Sequence, residues 1–427
     1  MDIKSIYSLF IQCDGVSTDS RKCPKDSMFI ALKGDNFDGN VFVENAIESG
    51  CKFALTSDEQ RANNKTIFYV PDTLVALQQL ASYHRQQMNA IVIAITGTNG
   101  KTTTKELTSA VMKAKYGDDV INTEGNLNNH IGVPLTLLRI KAHHKYAIVE
   151  MGANHPGEIK TLADIALPDY GLITNVGTAH ILGFGSFEGV IKTKCELYDN
   201  LKKHNGTIFV NGSNHNIFPK SEGANRIVYG VDGSSLNASV ESADPFLKVK
   251  FSNGYSAQTN LIGAYNLENV MAAACVGSHF GVDMPTIVSA LEHYKPSNNR
   301  SQFISTPSNK LIVDAYNANP TSMKAALDNF ITLKSESEKA LILGDMLELG
   351  KDSEAEHGKI VEMIAASGIK KVMLVGQNFA SVAKNGMSTF KNVDELIPVL
   401  TDNKLNGCLI LIKGSNSMKL TKVVEYL

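Results

Sequence analysis

A chain of 427 residues with Lys+Arg 41 against Asp+Glu 43 has a formal net charge of −2, a balance that favours neither nucleic acid nor an anionic membrane as partner. Its 43% apolar and 20% charged content is that of an ordinary soluble globular protein, long enough for about three domains. The six cysteines (Cys13, Cys23, Cys51, Cys195, Cys275 and Cys408) form no C-x-x-C pair. Neither a membrane-length apolar run nor a signal peptide stands out, so a cytoplasmic chain with reduced thiols is expected.

Residues 1–88 read as a separate small α/β domain. Ser17 to Arg21 is polar and turn-like, Met28 to Leu32 is a buried strand, and Lys33 to Gly39 is a glycine-bearing loop. Two polar loops flanking one strand, with Arg21, Lys33 and Phe37 available, suit an anionic, aromatic ligand. Taken alone, they are better explained as surface turns. Leu74 to Gln87 predicts a helix leading into a hinge before residue 90.

The second region, 89–302, opens on the stretch that organises the chain. Ile91 to Ile95 is a run of branched apolar residues, the pattern of a buried parallel strand. The run breaks at Gly97 and Gly100, and a helix opens at Thr102 with Leu107, Ala110, Val111 and Ala114 at helical spacing. Strand, glycine turn, lysine, threonine and helix make a phosphate-binding loop: backbone N–H groups of 97–103 approach a polyphosphate at the positive end of a helix. Gly97, Thr98, Asn99, Gly100, Lys101, Thr102 and Thr103 are thus candidate nucleotide ligands. Lys101, expected to be exposed in a polar loop, reaches the outer phosphates, and the Thr102 hydroxyl ligates Mg²⁺. Ile95 stands where the general G-x-x-x-x-G-K-[ST] pattern has its first glycine.

Further on, Asn122 to Pro134 is too rich in amides for a core element. Asn126, Asn128 and Asn129 either bond substrate or phosphate, or fix the loop as Asx turns. Lys145 to Glu150 predicts a strand ending in an acid that suits Mg²⁺. Tyr170 to Val176 predicts another, followed by His180. Ligands of open α/β sheets gather beyond the carboxyl ends of strands, so Lys101, Thr102, Glu150 and His180 converge if these strands are neighbours. A helix after Glu188 carries Lys192 and Lys194. Residues 226–262 read as short strands forming an antiparallel edge. Asn266 suits the N-cap of the helix that follows, and Asn266 and Asn269 share a face where amides could pair with an adenine edge.

The third region, 303–427, reads as a dinucleotide-fold-like sheet. Its first strand, Leu311 to Val313, ends in Asp314, and Asn319 caps a helix with Pro320 at its first position and Met323, Ala326, Leu327 and Phe330 inward. Strands follow at Ala340–Leu343, Val372–Val375 and Leu409–Ile412, each ending in a glycine-bearing turn. The fold class expected is α/β with parallel sheets in three domains.

Several motifs in this order resemble one family. Gly97 to Thr102, Glu124 to Pro134, Glu150 to Glu158, His180 with Gly183 to Ser186, and Asp314 to Met323 are similar to the muramyl (Mur) ligases of bacterial peptidoglycan synthesis, over nearly the whole chain. The similarity is greatest to the members that join D-alanyl-D-alanine to UDP-N-acetylmuramoyl-tripeptide. The family's phosphate loop also lacks the early glycine. The resemblance implies an ATP-dependent ligase acting through an acyl phosphate, with three domains for the UDP-sugar peptide, ATP and the incoming amine. It implies Lys101 on the phosphates and Thr102 and Glu150 on a first Mg²⁺. His180 and Lys194, the latter carbamylated by CO₂, would hold a second Mg²⁺. Asn266 and Asn269 would meet adenine, with Arg300, Asp314 and Tyr316 approaching the nucleotide from the domain junction and the third domain. Asn317 and Asn319, in the 314–320 turn, fall on the acceptor side, and Ser20, Arg21, Lys33 and Phe37 at the uridine diphosphate. A monomer is expected. The competing readings are another Mur-type or folylpolyglutamate-type ligase, which the 314–323 motif disfavours, and a non-catalytic nucleotide switch. No guanine-reading Asn-Lys-x-Asp is present, and a mere binder has no use for Glu150, His180 and Lys194.

Overall fold

A computed structural model describes residues 1–178, 181–297 and 299–427. The chain builds three α/β layers in succession. The first holds β1 (Val16–Ser17), β2 (Met28–Ile30), β3 (Phe53–Thr56) and β4 (Ile67–Tyr69), parallel neighbours in that order. Helix α1 (Thr73–Gln87) starts where the Asp72 carboxylate accepts from the Leu74 and Val75 N–H groups. Its Leu77, Leu80 and Ala81 belong to one apolar cluster that contains Met28 and Leu55 from the first sheet and Val92, Val149 and Leu162 from the second layer. The two layers therefore share a core, and burying each of its leucine, valine and methionine side chains contributes about 1.5–3 kcal/mol.

The second sheet is built on β5 (Ile91–Thr96), which is followed by α2 (Lys101–Tyr116), β6 (Val120–Asn122), β7 (Tyr146–Glu150) and β8 (Tyr170–Ile173). Helix α3 (Phe187–Lys203), β9 (Thr207–Asn211) and β10 (Asn225–Tyr229) complete it. The order is β10-β9-β8-β5-β7-β6, parallel throughout. The two strands expected beside the phosphate loop, β7 and β8, do flank β5, which is buried from Val92 onward. Three expectations need correction. Strand β8 stops at Ile173 rather than Val176, and just past its end the side chains of Thr174 and Asn175 bond the phosphate loop. Helix α2 turns Thr104, Leu107, Thr108, Val111 and Met112 inward, while Ala114 is exposed. Residues 226–262 do not all lie at an edge. Only β10 does, and it is parallel, whereas β11 (Ala238–Ala243), β12 (Phe246–Phe251) and β13 (Ser256–Ile262) form their own antiparallel sheet. Leu247, Val249 and Phe251 of β12 face inward, with Lys248 and Lys250 between them, the alternation of a sheet covered on one face.

Helix α4 (Leu267–His279) then packs its buried Val270, Met271 and Ala274 in one cluster with Leu107 and Val111 of α2. The third layer comprises β14 (Gln302–Ser305), β15 (Lys310–Asp314), α5 (Pro320–Thr332), β16 (Glu338–Gly344), β17 (Lys371–Val375), β18 (Ser388–Phe390) and β19 (Cys408–Lys413). Its order is β14-β15-β19-β16-β17-β18, with β14 alone antiparallel to its neighbour. Asn319 caps α5 in a reciprocal box with Ser322, and Met323, Ala326, Leu327 and Phe330 are buried as expected. Among the described residues the cysteines are all free, and no helix is long and apolar enough to cross a membrane.

Candidate active site

The carboxyl ends of β5, β7 and β8 and the end of β15 face one cavity of about 1040 Å³. Its wall includes Thr98 to Thr103, Asn126, Asn128, Asn129, Glu150, Asn266, Asn269, Arg300, Asp314, Tyr316 and Asn317.

The phosphate loop is held from β8. The Thr98 N–H donates to the Asn175 carbonyl at 2.9 Å and the Asn99 N–H to Asn175 Oδ1 at 3.0 Å. In return Thr174 Oγ1 and Asn175 Nδ2 donate to the Asn99 carbonyl, at 2.6 and 3.1 Å. Glycine is required at two places here. Gly97 has φ +145° and Gly100 φ +77°, and a Cβ would run into Thr174 Oγ1 at the first and Asn269 Oδ1 at the second. Lys101 is half-buried, not exposed: its Nζ folds back onto the carbonyls of Gly97 and Thr98, at 2.8 and 2.9 Å. Loss of solvation pushes its pKa down to about 8, with Arg300 adding to the shift and Glu150 opposing it.

Glu150 is 1% exposed at the end of β7. Its carboxylate accepts from the Thr102 hydroxyl at 3.0 and 2.9 Å and from Asn128 Nδ2 at 2.7 Å. The amide-rich loop thus divides its labour. Asn128 reaches the acid, while Asn129 Oδ1 accepts from the Ile131 and Gly132 N–H groups and is an Asx turn. Asn126 lines the cavity.

Lys194 is 2% exposed on α3. Its Nζ donates to the Ala153 carbonyl at 3.2 Å and stands 5.2 Å from the Phe184 ring centre. Burial pushes its pKa down to about 7, with the charge of Lys101 adding to the shift and Glu158 and Glu196 opposing it. Lys192, two residues earlier, is exposed. His180 lies outside the described residues.

Asn266 is not a side-chain cap. Its Nδ2 donates to the Ile262 carbonyl at 2.9 Å, and its Oδ1 accepts from Asn269 Nδ2 at 2.8 Å. Asn269 Oδ1 in turn accepts from Thr104 Oγ1 at 3.0 Å, which joins α4 to α2 at the cavity wall. At the junction with the third layer, the Arg300 guanidinium stacks on the Tyr316 ring at 3.7 Å, and Arg300 Nε is buried without a hydrogen-bond partner among the described residues. Asp314 accepts from Lys413 Nζ at 2.5 Å and from the Ser301 N–H at 3.2 Å.

Some expected residues do not line this cavity. Asn319 borders an adjoining one of about 190 Å³ with Tyr316, Asn317 and Ser415. Ser20, Arg21, Lys33 and Phe37 do not border the large cavity. Arg21 pairs with Asp19 at 2.9 Å, Lys33 with Asp38 at 3.5 Å, and Phe37 stacks on Phe42 at 5.7 Å. Two contributors were not anticipated, Asn175 and Lys413. Of these only Asn175 had a signal, an amide just past the end of a strand beside the phosphate loop.

The chain was compared with known proteins. The Mur ligase middle domain matches residues 95–277, the Mur ligase glutamate ligase domain 299–416, and the Mur ligase family catalytic domain 12–91. The UDP-N-acetylmuramoyl-tripeptide–D-alanyl-D-alanine ligase of Bacillus subtilis is 36% identical, over 96% of this chain and 92% of that protein. The ligase of the same name from Haemophilus influenzae is 32% identical, over 97% and 93%. A crystal structure of MurF from Acinetobacter baumannii aligns with a TM-score of 0.85 and 32% identity, covering 96% of this chain and 92% of that one.

Proposed function

The chain belongs to the Mur ligase family, and from that premise we propose that it joins D-alanyl-D-alanine to UDP-N-acetylmuramoyl-tripeptide at the expense of ATP, a step of peptidoglycan precursor synthesis. A free carboxylate is a poor acyl donor because its oxygen leaves badly. Transfer of the ATP γ-phosphoryl group gives an acyl phosphate, the dipeptide amine attacks its carbonyl carbon, and inorganic phosphate departs. The protein's part in such chemistry is positioning and neutralisation of charge.

One observation carries this reading: the phosphate loop, Lys101, Thr102 and the buried Glu150 meet in a cavity that Asp314, Tyr316 and Asn317 also line. Lys101 would exchange its bonds to the Gly97 and Thr98 carbonyls for the outer phosphate oxygens. The N-terminus of α2 adds partial positive charge beneath them. Arg300, whose Nε lacks a partner among the described residues, would serve as a second cation.

The donors present fit Mg²⁺. Thr102 Oγ1 and the Glu150 oxygens are hard ligands 2.9–3.0 Å apart. Adjacent ligands of an octahedral ion at about 2.0–2.1 Å are separated by about 2.9 Å. Bound there, Mg²⁺ would neutralise phosphate charge. A second ion would take His180 and a carbamate on Lys194. The buried amine of Lys194, held partly neutral, is the form that captures CO₂, and Lys192 at the surface is not. We assign residues 1–88 to the UDP-sugar peptide, with Ser20, Arg21, Lys33 and Phe37 toward the uridine diphosphate. Residues 89–302 take ATP, with Asn266 and Asn269 at adenine. Residues 303–427 take the acceptor, and the protein acts as a monomer in the cytoplasm.

The test is phosphate release from ATP in the presence of UDP-N-acetylmuramoyl-tripeptide, first without and then with D-alanyl-D-alanine. Release that depends on both substrates supports the reading, and release indifferent to the dipeptide refutes it.

A further inference from the structure

Helix α5 begins with an asparagine that does two things at once. Asn319 Oδ1 accepts from the Ser322 N–H at 2.9 Å, the ordinary duty of a cap. Capping through the oxygen leaves the amide nitrogen pointing away, and Nδ2 donates to Asn99 Oδ1 in the phosphate loop at 2.8 Å. Among the common capping residues only asparagine offers both an acceptor and such a donor, since serine, threonine and aspartate have no amide nitrogen. Asn319 is 5% exposed, so the bond is shielded from water.

Both ends are anchored. Asn99 is fixed through its backbone by Thr174 and Asn175 at the end of β8. Asn319 is fixed by its box with Ser322. Beside this link, Thr321 Oγ1 meets the N–H and the hydroxyl of Thr178 at 3.3 and 3.0 Å. The first turn of α5 is thereby tied to the two loops that surround the phosphate site. The same turn of chain, from β15 into α5, carries Asp314, Tyr316 and Asn317 to the cavity.

We propose that Asn319 is a positioning residue that registers the third layer against the phosphate loop through Asn99, and so holds the acceptor side close enough for the amine to intercept the acyl phosphate. This rests on the ligase reading above and concerns how its second step is protected. If the link is broken, the turn bearing Asp314 to Asn317 is no longer held to the loop. Water then competes for the activated carbonyl, returning the carboxylate and inorganic phosphate with no amide formed.

The experiment measures inorganic phosphate and amide product together for the full-length wild type, Asn319→Ser, Asn99→Ala and the double variant. Serine keeps the helix cap but is too short and lacks the nitrogen donor. Asn319→Ser should melt near the wild-type temperature and bind ADP as tightly. Its kcat/KM for the dipeptide should fall about tenfold, and its phosphate released per amide bond should rise above the wild-type value. The double variant should be no worse than the poorer single variant, the sign of one shared contact. An Asn319→Ser enzyme with wild-type kcat/KM and wild-type stoichiometry overturns the proposal. So do a loss confined to ADP affinity and single-variant losses that multiply. A wild type that forms no amide refutes the ligase reading instead, which keeps the two failures apart.

Discussion

The Thr102 hydroxyl stands 3.0 and 2.9 Å from the two carboxylate oxygens of Glu150, joining the first turn of α2 to the end of the neighbouring strand β7. Two adjacent parallel strands thus deliver a helix-borne hydroxyl and a buried acid to one point beside the phosphate loop. Glu150→Gln keeps the shape and removes the charge. It should fold, and the Mg²⁺ concentration giving half-maximal phosphate release should rise at least about tenfold. An unchanged Mg²⁺ titration would remove Glu150 from the metal site.

Lys101→Ala should abolish ligation. Because Nζ bonds two carbonyls of its own loop, stability should change by about 1 kcal/mol, against which the relief of a desolvated ammonium works. Turnover within a few-fold of wild type would contradict the role in phosphate neutralisation. Melting temperature, read alongside, separates lost chemistry from lost fold.

Lys194 gives a pH signature. Its folded pKa, about 7, lies below the ordinary lysine value of 10.5 that an unfolded chain would show. Between these values the unfolded state binds the extra proton, so stability rises with pH across that window. The stabilisation is complete above the unfolded value and is lost as pH falls toward 7. Lys194→Met should therefore flatten the rise in melting temperature between pH 7 and 10, measured without nucleotide or Mg²⁺. A slope identical to wild type would show that this amine is not desolvated.

If the working form of Lys194 is a carbamate, Lys194→Ala should be nearly inactive and regain part of its activity with formate, a small anion able to occupy the vacated position. Lys192→Ala, at the exposed neighbour, should remain active. Rates are compared with and without formate. A fully active Lys194→Ala enzyme would contradict the assignment.

Much of the second and third layers was legible in the chain. The branched run at Ile91 to Ile95 and the Asn319-Pro320 helix start announce their elements because local sterics and capping decide them. Burial on helix α2 was less legible, since Ala114 continues the apolar period yet faces solvent while polar Thr104, Thr108 and Lys105 are buried. Helix α4 covers one side of α2, and tertiary packing overrides the local pattern there. Glu150 was placed by its strand end, but its partners Thr102 and Asn128 lie 48 and 22 residues away. The Asn99–Asn319 bond spans 220 residues. No periodicity encodes such a pairing. It exists only once the layers have stacked.

The central claim, a ligase that takes a dipeptide, is tested most directly by acceptor competition with mass detection of the product. The enzyme is given ATP, Mg²⁺ and UDP-N-acetylmuramoyl-tripeptide with D-alanyl-D-alanine, D-alanine or lysine. The account predicts an amide product with the dipeptide and far lower rates with either single amino acid, because a shorter acceptor leaves polar groups of the site unpaired. Comparable rates with D-alanine or lysine would contradict it.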